Sequence, residues 1–206
     1  MVFNVRGNGG GNSEWGEEIV SAFWGDVWAK RAEALTGGNV VDWRASALNL
    51  ATLRDEKKQI EAAGLDTGYT HRAIDAITTA IQDGNPLARV VEPSEAVSQT
   101  PPPNPVTRRV YFLTDGSCGS ARLDFADLMH RLPGVVQVGQ PTGADTVYMD
   151  IARKELPSGL ASLGWGMQVY RDRTRGNNVW YDPKIRWTGG PMNDDAAVVR
   201  WIKSLH

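Results

Sequence analysis

Residues 109–129 read RVYFLTDGSCGSARLDFADLM, and this stretch decides the architecture. Its first part, Val110 to Leu113, is a short apolar run rich in β-formers. Its last part, Ala121 to Met129, sets Leu123, Phe125, Ala126, Leu128 and Met129 where one helical face gathers them. Between the two, Asp115-Gly116-Ser117-Cys118-Gly119-Ser120 supplies small residues for a sharp turn. A strand, a tight turn and a helix raise one side chain above the sheet edge and offer the first helical N–H groups to a developing oxyanion. Ser120, at the helix entry, is the candidate nucleophile. The competing role for a serine at that point is an N-cap. Cys118, two residues earlier, is a second candidate nucleophile, but no basic partner that would activate its thiol is visible, so a packing role is expected.

Upstream, the chain opens on Met1-Val2-Phe3-Asn4-Val5, which reads as a buried strand, and runs into Arg6-Gly7-Asn8-Gly9-Gly10-Gly11. A glycine run of this kind accepts positive φ and brings backbone N–H groups close to a ligand. It lacks the Gly-Lys-Ser/Thr of a phosphate loop and the β-α-β setting of a dinucleotide fingerprint. Asn12 or Ser13 then caps a helix expected to run to about Leu35. A second helix is expected from about Arg44 to Ala63, after a short apolar piece at Val40-Val41. A third begins near Thr70 and stops at Asp83-Gly84-Asn85-Pro86. Leu87 to Thr107 reads as irregular, with Pro101-Pro102-Pro103-Asn104-Pro105 as an extended surface loop.

Downstream, Val135 to Gly139, Val147 to Ile151, Leu160 to Leu163 and Met167 to Tyr170 read as strands, and Leu156-Pro157-Ser158-Gly159 as a turn. Arg171 to Gly176 carries three arginines and reads as a solvated charged loop. Asn193 or Asp194 caps a last helix with Ala197, Val198, Trp201, Ile202 and Leu205 inward.

The composition narrows the function classes. The 206 residues are 41% hydrophobic and 22% charged, as in a globular protein. A net charge of −2 implies no broad attraction to nucleic acid or anionic membrane, and no apolar run reaches the length of a membrane span. The single cysteine excludes an internal disulfide. No cluster of histidine, cysteine and carboxylates has ligand spacing, so neither a metal nor an organic cofactor is expected.

Four separated pieces, read together, resemble the C-terminal processing (tail-specific) protease family, which includes the tricorn core peptidases. Phe3 to Gly11 is similar to that family's D-x-R-x-N-x-G-G strand and loop. Leu113-Thr114-Asp115, followed by Gly119-Ser120-Ala121 and Phe125-Ala126, resembles its nucleophile segment. Val138-Gly139-Gln140-Pro141-Thr142-Gly143 resembles its V-G-x-P-T-x-G segment, and Leu156-Pro157-Ser158-Gly159 the L-P-x-G turn that follows. The pieces come in the family's order and span residues 2 to about 187, with a weaker match from about 36 to 107.

The resemblance implies an α/β fold with a crotonase-like core of β-β-α units and a helical, proline-rich insert over 36–107, in a single catalytic domain over 1–206. It implies hydrolysis of peptide bonds in peptide or protein substrates, without nucleic acid; self-association into a homo-oligomer is left open. Ser120 would be the nucleophile, and the backbone N–H of Ala121, with one from Gly10 or Gly11, the oxyanion hole. The base does not carry over. The family's lysine place is taken by Ala144 and Asp145, and Asn4 replaces the usual aspartate. A tricorn-like arrangement, with its base elsewhere in the chain, is therefore expected rather than a Ser-Lys dyad, and the general base is unknown. His130 closes the helix that starts at Ser120, about 15 Å away at 1.5 Å per residue. His71 lies in the weakly matched insert and His206 is the last residue.

The mid-strand opening leads to the expectation that the chain is the C-terminal part of a longer catalytic domain. The family is often exported, which bears on the compartment only through a longer precursor. The alternative is a catalytically degenerate member that binds a hydrophobic ligand or peptide, with Trp165, Trp180 and Trp187 lining an apolar cleft. An acyl-CoA enzyme of the crotonase type is weaker, since it gives the nucleophile segment no role.

Overall fold

The computed structural model describes residues 1–93, 97–98 and 100–205. In chain order its elements are β1 (Val2–Asn4), α1 (Glu14–Trp24), α2 (Asp26–Ala34), β2 (Val40–Arg44), α3 (Ala47–Ala62), α4 (Gly68–Gln82), β3 (Leu87–Val91), β4 (Val110–Thr114), α5 (Ala121–Met129), β5 (Val135–Gly139), β6 (Tyr148–Glu155), β7 (Ser162–Tyr170), β8 (Ile185–Arg186) and α6 (Asp195–Lys203). The fold is mixed α/β, with one parallel and one antiparallel sheet, and the chain divides into two compact units. One comprises Met1–Thr36, Glu95–Asp145 and Arg175–His206; the other comprises Gly37–Ser94 and Thr146–Thr174.

The first unit is built on a parallel sheet of order β1-β4-β5-β8. All five residues of β4 are buried, as expected of a parallel strand covered on both faces. Alternation along the strand assigns them to opposite sides. Val110 and Phe112 pack with Val20, Trp24, Leu123, Phe125 and Met129 from α1 and α5. Tyr111 and Leu113 pack with Val138, Trp187, Val198 and Ile202, under α6. β4 and β5 run parallel with α5 as their crossover, so the turn that carries Ser120 stands at the carboxyl end of a central strand, where open α/β sheets place ligands.

The second unit is an antiparallel sheet of order β3-β2-β7-β6 whose core gathers Val41, Trp43, Ile77, Ala88 and Met167 with α3 and α4. Asp42, in the middle of β2, is 4% exposed and accepts from Arg89 Nε and Nη2 at 2.7 and 2.9 Å and from Arg171 Nε at 2.6 Å.

Several expected elements differ. The helix expected to run unbroken to Leu35 is two helices, because Gly25 adopts φ 83° and turns the chain between them. Val40–Arg44 and Leu87–Val91, read as a short apolar piece with a helix start and as irregular chain, are paired strands. Ser162-Leu163 of the piece expected at 160–163 and all of 167–170 belong to one hairpin strand, β7; Leu160 and Ala161 fall outside it, in the connection from β6 that follows the turn at Leu156 to Gly159. Residues 94–96 and 99, within the region read as irregular, lie outside the described residues, as does His206.

Candidate active site

Ser120 sits at φ 54° and ψ −136°, one of three non-glycine residues with positive φ among those described. β4 is fixed in the sheet interior and α5 packs back on it, so the four-residue link at Asp115–Cys118 and the Gly119-Ser120 corner must reverse the chain within a few ångströms. The carboxylate of Asp115 organises that link. It accepts from Ser117 N–H and Oγ at 3.1 and 2.7 Å and from Gly7 N–H at 2.9 Å. Burial opposes its ionisation, but the hydrogen bonds from Ser117, Gly7 and Cys118 outweigh it and hold the carboxyl below its ordinary range. One acid therefore ties the glycine loop to the turn before Ser120. Arg6 anchors the start of that loop to the beginning of α6 by donating to the Met192 carbonyl and, at 2.8 Å, to Asp195 Oδ1.

Ser120 occupies the N-cap position of α5 but makes no side-chain cap hydrogen bond. Among the described residues Oγ has no hydrogen-bond partner; its own N–H donates to Asp145 Oδ2 at 3.1 Å. The Cα of Gly10 faces this side chain, and a Cβ there would stand 2.7 Å from Ser120 Cβ and 3.2 Å from Oγ. Of the two glycines expected to furnish an oxyanion donor, Gly10 gives its N–H to Asn8 Oδ1 at 2.9 Å. The N–H groups of Gly11 and of Ala121, the first residue of α5, carry no hydrogen bond among the described residues. Gly143 brings the third family-like segment against the same turn: its N–H donates to the Cys118 carbonyl at 2.9 Å, where a Cβ would collide.

Beneath the turn lies a buried ionic group that sequence reasoning missed. Arg175, 6% exposed, donates from Nη1 to Asp127 Oδ2 at 2.7 Å and from Nη2 to Asp124 Oδ1 at 3.3 Å, and stands 3.9 Å from Asp145 Oδ2. Tyr181 donates its hydroxyl to Asp127, and Ser13 Oγ donates to Asp124 at 2.8 Å. Burial first, then the Asp127 carboxylate, pushes the Tyr181 hydroxyl's pKa up. Arg175 thus links α5 to Asp145, which holds the Ser120 N–H. The reading of residues 171–176 as a solvated loop is corrected here: Arg171 pairs with Asp42, Arg173 lies over the Tyr170 ring at 3.9 Å, and Arg175 is core. A usable signal was present in the i, i+3 spacing of Asp124 and Asp127, which puts two carboxylates on one helical face.

Beside Ser120 is a cavity of about 170 Å³ lined by Gly10, Gly11, Ala121 and Arg122. The Arg122 side chain is 1% exposed, and its nearest carboxylate oxygen, on Asp115, is 3.9 Å away. None of its three guanidinium nitrogens has a hydrogen-bond partner among the described residues.

The remaining candidates lie elsewhere. Cys118 is buried, donates weakly to the Val5 carbonyl at 3.7 Å, and has its thiol pKa raised by that burial. His130 packs against Tyr181 with the rings tilted by 44° and 4.4 Å between centroids, at the far end of α5 from Ser120. His71 is exposed beside Asp75. Trp165 and Trp187 are packing residues: the first donates to Asn49 Oδ1 at 3.1 Å, and the second packs at a tilt against Trp201, 5.1 Å between centroids. Among the described residues no group of three or more histidine, cysteine or carboxylate side chains has the arrangement of a metal site.

A serine raised on a strained corner, beside two free N–H groups and a cavity, has the layout of acyl-transfer hydrolases. The chain belongs to peptidase family S41, whose pattern it matches over residues 1–176. No curated protein matches it in sequence. Among solved structures it is similar to one from Parabacteroides merdae assigned as a peptidase, with 20% identity and a TM-score of 0.44 over 91% of this chain and 45% of that one. It is also similar to mature CPAF in complex with lactacystin, with 12% identity and a TM-score of 0.41 over 84% of this chain and 42% of that one. The photosystem II D1 C-terminal processing protease aligns with 12% identity and a TM-score of 0.38, over 90% of this chain and 34% of that one. The chain thus spans less than half the length of each of these structures.

Proposed function

We propose that this chain carries the nucleophile and oxyanion hole of a serine-type peptidase. The observation that carries the reading is Ser120 itself: a positive-φ, half-buried serine whose hydroxyl leaves the helix uncapped and faces Gly10. A residue is kept in such a conformation only when its surroundings hold it there, and strain of this kind collects at functional sites. In the reaction, Ser120 Oγ attacks the carbonyl carbon of the scissile peptide bond, and the N–H groups of Ala121 and Gly11 receive the oxyanion. The amine leaves with a proton, and water then hydrolyses the acyl-serine to release the acid. Each oxyanion donor contributes roughly 3 kcal/mol to the transition state. Gly11 fits this role better than Gly10, whose N–H is committed to Asn8.

The mechanism is tricorn-like rather than Ser-Lys, with the general base contributed from elsewhere than the segment after Thr142. Support comes from Asp145, which stands in the family's lysine segment and uses its carboxylate to hold the Ser120 N–H rather than Oγ. The parallel sheet with α5 crossing from β4 to β5 is compatible with a crotonase-like core, and we place it in that class. We take residues 1–206 as part of one catalytic domain and 36–107 as the insert within it, acting on peptide or protein substrates.

An activated p-nitrophenyl acyl ester tests the nucleophile with little demand on a base. The expected result is a burst of about one p-nitrophenol per chain that Ser120→Ala removes. A burst that survives Ser120→Ala, or none from the folded chain, overturns the reading; intact binding of an apolar ligand without a burst would favour the degenerate binder.

A further inference from the structure

Ser120 stands between two roles. Its place at the head of α5 is that of an N-cap, and a serine there ordinarily has negative φ and turns its hydroxyl onto the free N–H groups of the first turn. At φ 54° and ψ −136° it leaves the helix uncapped, and its own N–H donates to Asp145 Oδ2 at 3.1 Å. The capped arrangement carries no backbone strain, so a contact from outside the helix must outweigh it. Asp145 supplies that contact from a fixed position. Its side chain is 18% exposed, and Oδ2 stands 3.9 Å from Nη2 of Arg175, whose Nη1 is held on Asp127 Oδ2 at 2.7 Å. The segment leading to Asp145 is pinned along its length. Thr142 N–H donates to the Tyr181 carbonyl at 3.0 Å, and Thr142 Oγ1 accepts from Tyr181 N–H at 2.9 Å. Gly143 lies so close to the Cys118 carbonyl that a Cβ would come within 2.9 Å of it, and Asp145 N–H donates to the Val179 carbonyl at 3.3 Å.

We infer that Asp145, with Arg175 behind it, is a positioning residue: it holds Ser120 by the backbone in its strained corner and so keeps the hydroxyl from capping α5. The inference rests on reading Ser120 as the nucleophile. Asp145 acts through the Ser120 N–H and needs no contact with substrate or with Oγ. A carboxylate accepts an N–H roughly twice as strongly as a neutral oxygen, which suits an acceptor that must work against strain. Without it, Ser120 relaxes to negative φ and its hydroxyl takes up the cap bond. Acylation then fails although the fold persists, because the relaxed corner gains a helix cap while it loses the bond to Asp145.

Amide hydrogen exchange at Ser120, followed by NMR, reads the backbone without any substrate. In the parent chain, after correction for intrinsic rates, Ser120 is expected to exchange at least about tenfold more slowly than Gly119, whose N–H has no hydrogen bond among the described residues. Asp145→Ala should bring Ser120 to the rate of Gly119, and Asp145→Asn, whose amide oxygen still accepts, should keep most of the protection. The p-nitrophenyl ester burst, taken per folded chain, should slow about fiftyfold in Asp145→Ala and stay within about fivefold in Asp145→Asn, with the half-saturating ester concentration unchanged in both. A merely structural role would lower the urea midpoint and leave the rate per folded chain alone. The proposal is overturned by a parent Ser120 amide that exchanges as fast as Gly119, by an Asp145→Ala chain whose exchange or burst rate is unchanged, or by an Asp145→Asn chain as impaired as Asp145→Ala. The parent measurement needs no variant, so a misfolded variant does not rescue the idea. The two readings fail separately. A burst that Asp145→Ala leaves unchanged keeps the peptidase reading and removes this one. A parent without a burst, but with a Ser120 amide that Asp145→Ala deprotects, removes the peptidase reading and keeps Asp145 as the holder of the corner.

Discussion

The α-carbon of Gly10 presses on the side chain of Ser120, so that a single added methyl would sit 2.7 Å from the serine Cβ and 3.2 Å from its Oγ. The glycine loop is therefore the wall against which the Ser120 rotamer is set.

Gly10→Ala is expected to slow acylation of Ser120 by about a hundredfold, because the hydroxyl must swing away from the oxyanion donors. Its φ of 116° adds backbone strain of about 1–3 kcal/mol. Gly9→Ala, which meets nothing within 4 Å, should leave both acylation and stability within about 0.5 kcal/mol of the parent. Ester burst rates and urea denaturation of the two variants decide the matter; similar losses in both would remove the steric argument.

Arg175→Met removes the buried guanidinium that pairs with the carboxylates of Asp124 and Asp127. A loss of about 3–5 kcal/mol of unfolding free energy is expected. Adding Asp127→Asn should recover part of that loss, because one buried negative charge is then gone. A double variant less stable than Arg175→Met alone would contradict the account, and equilibrium denaturation measures it.

Two carboxyls give stability opposite pH dependences. Glu17 has its pKa pushed from 4.5 to about 7, by burial first and then by Glu33, Glu14 and Asp124. The folded chain retains a proton there that the unfolded chain has lost, so this group's contribution falls as pH rises from 4.5 to about 7. Glu17→Gln should flatten that fall and gain on the order of 1 kcal/mol at pH 8. A Glu17→Gln chain whose stability drops as steeply as the parent's across this window would refute it.

Asp42 behaves the other way. Hydrogen bonding from Arg89, against the opposing effect of burial and with help from Arg171, holds its carboxyl below the ordinary 3.8. Its contribution is present above that value and disappears as pH falls through the folded-state pKa. Asp42→Asn is expected to cost about 1–3 kcal/mol at pH 7 and progressively less below pH 3.8, by thermal or urea unfolding.

The strand-turn-helix around Ser120 was readable because its pattern is local: five buried residues of β4, small residues in the turn, and an apolar face on α5. The last helix was readable too, with Asp194 Oδ1 accepting from Ala197 N–H at 2.9 Å as its cap. What failed depends on distant partners. Asp42 makes β2 look too polar for a strand until Arg89 and Arg171 are brought beside it. Gly164 and Gly166 interrupt the apolar pattern of β7, although both lie within its ladder with β6. Gly10 and Gly11 are equivalent in sequence; only the Asn8 side chain, which takes the Gly10 N–H, tells them apart. Arg175 looked solvated because its carboxylates lie 51 and 48 residues earlier in the chain.

The central claim is that Ser120 is a nucleophile. The most direct measurement is reaction of the folded chain with a fluorophosphonate probe, followed by peptide mapping of the adduct. The account predicts a single adduct on Ser120, absent from Ser120→Ala. An adduct on Cys118 or another residue, or a folded chain that stays unmodified, would contradict it.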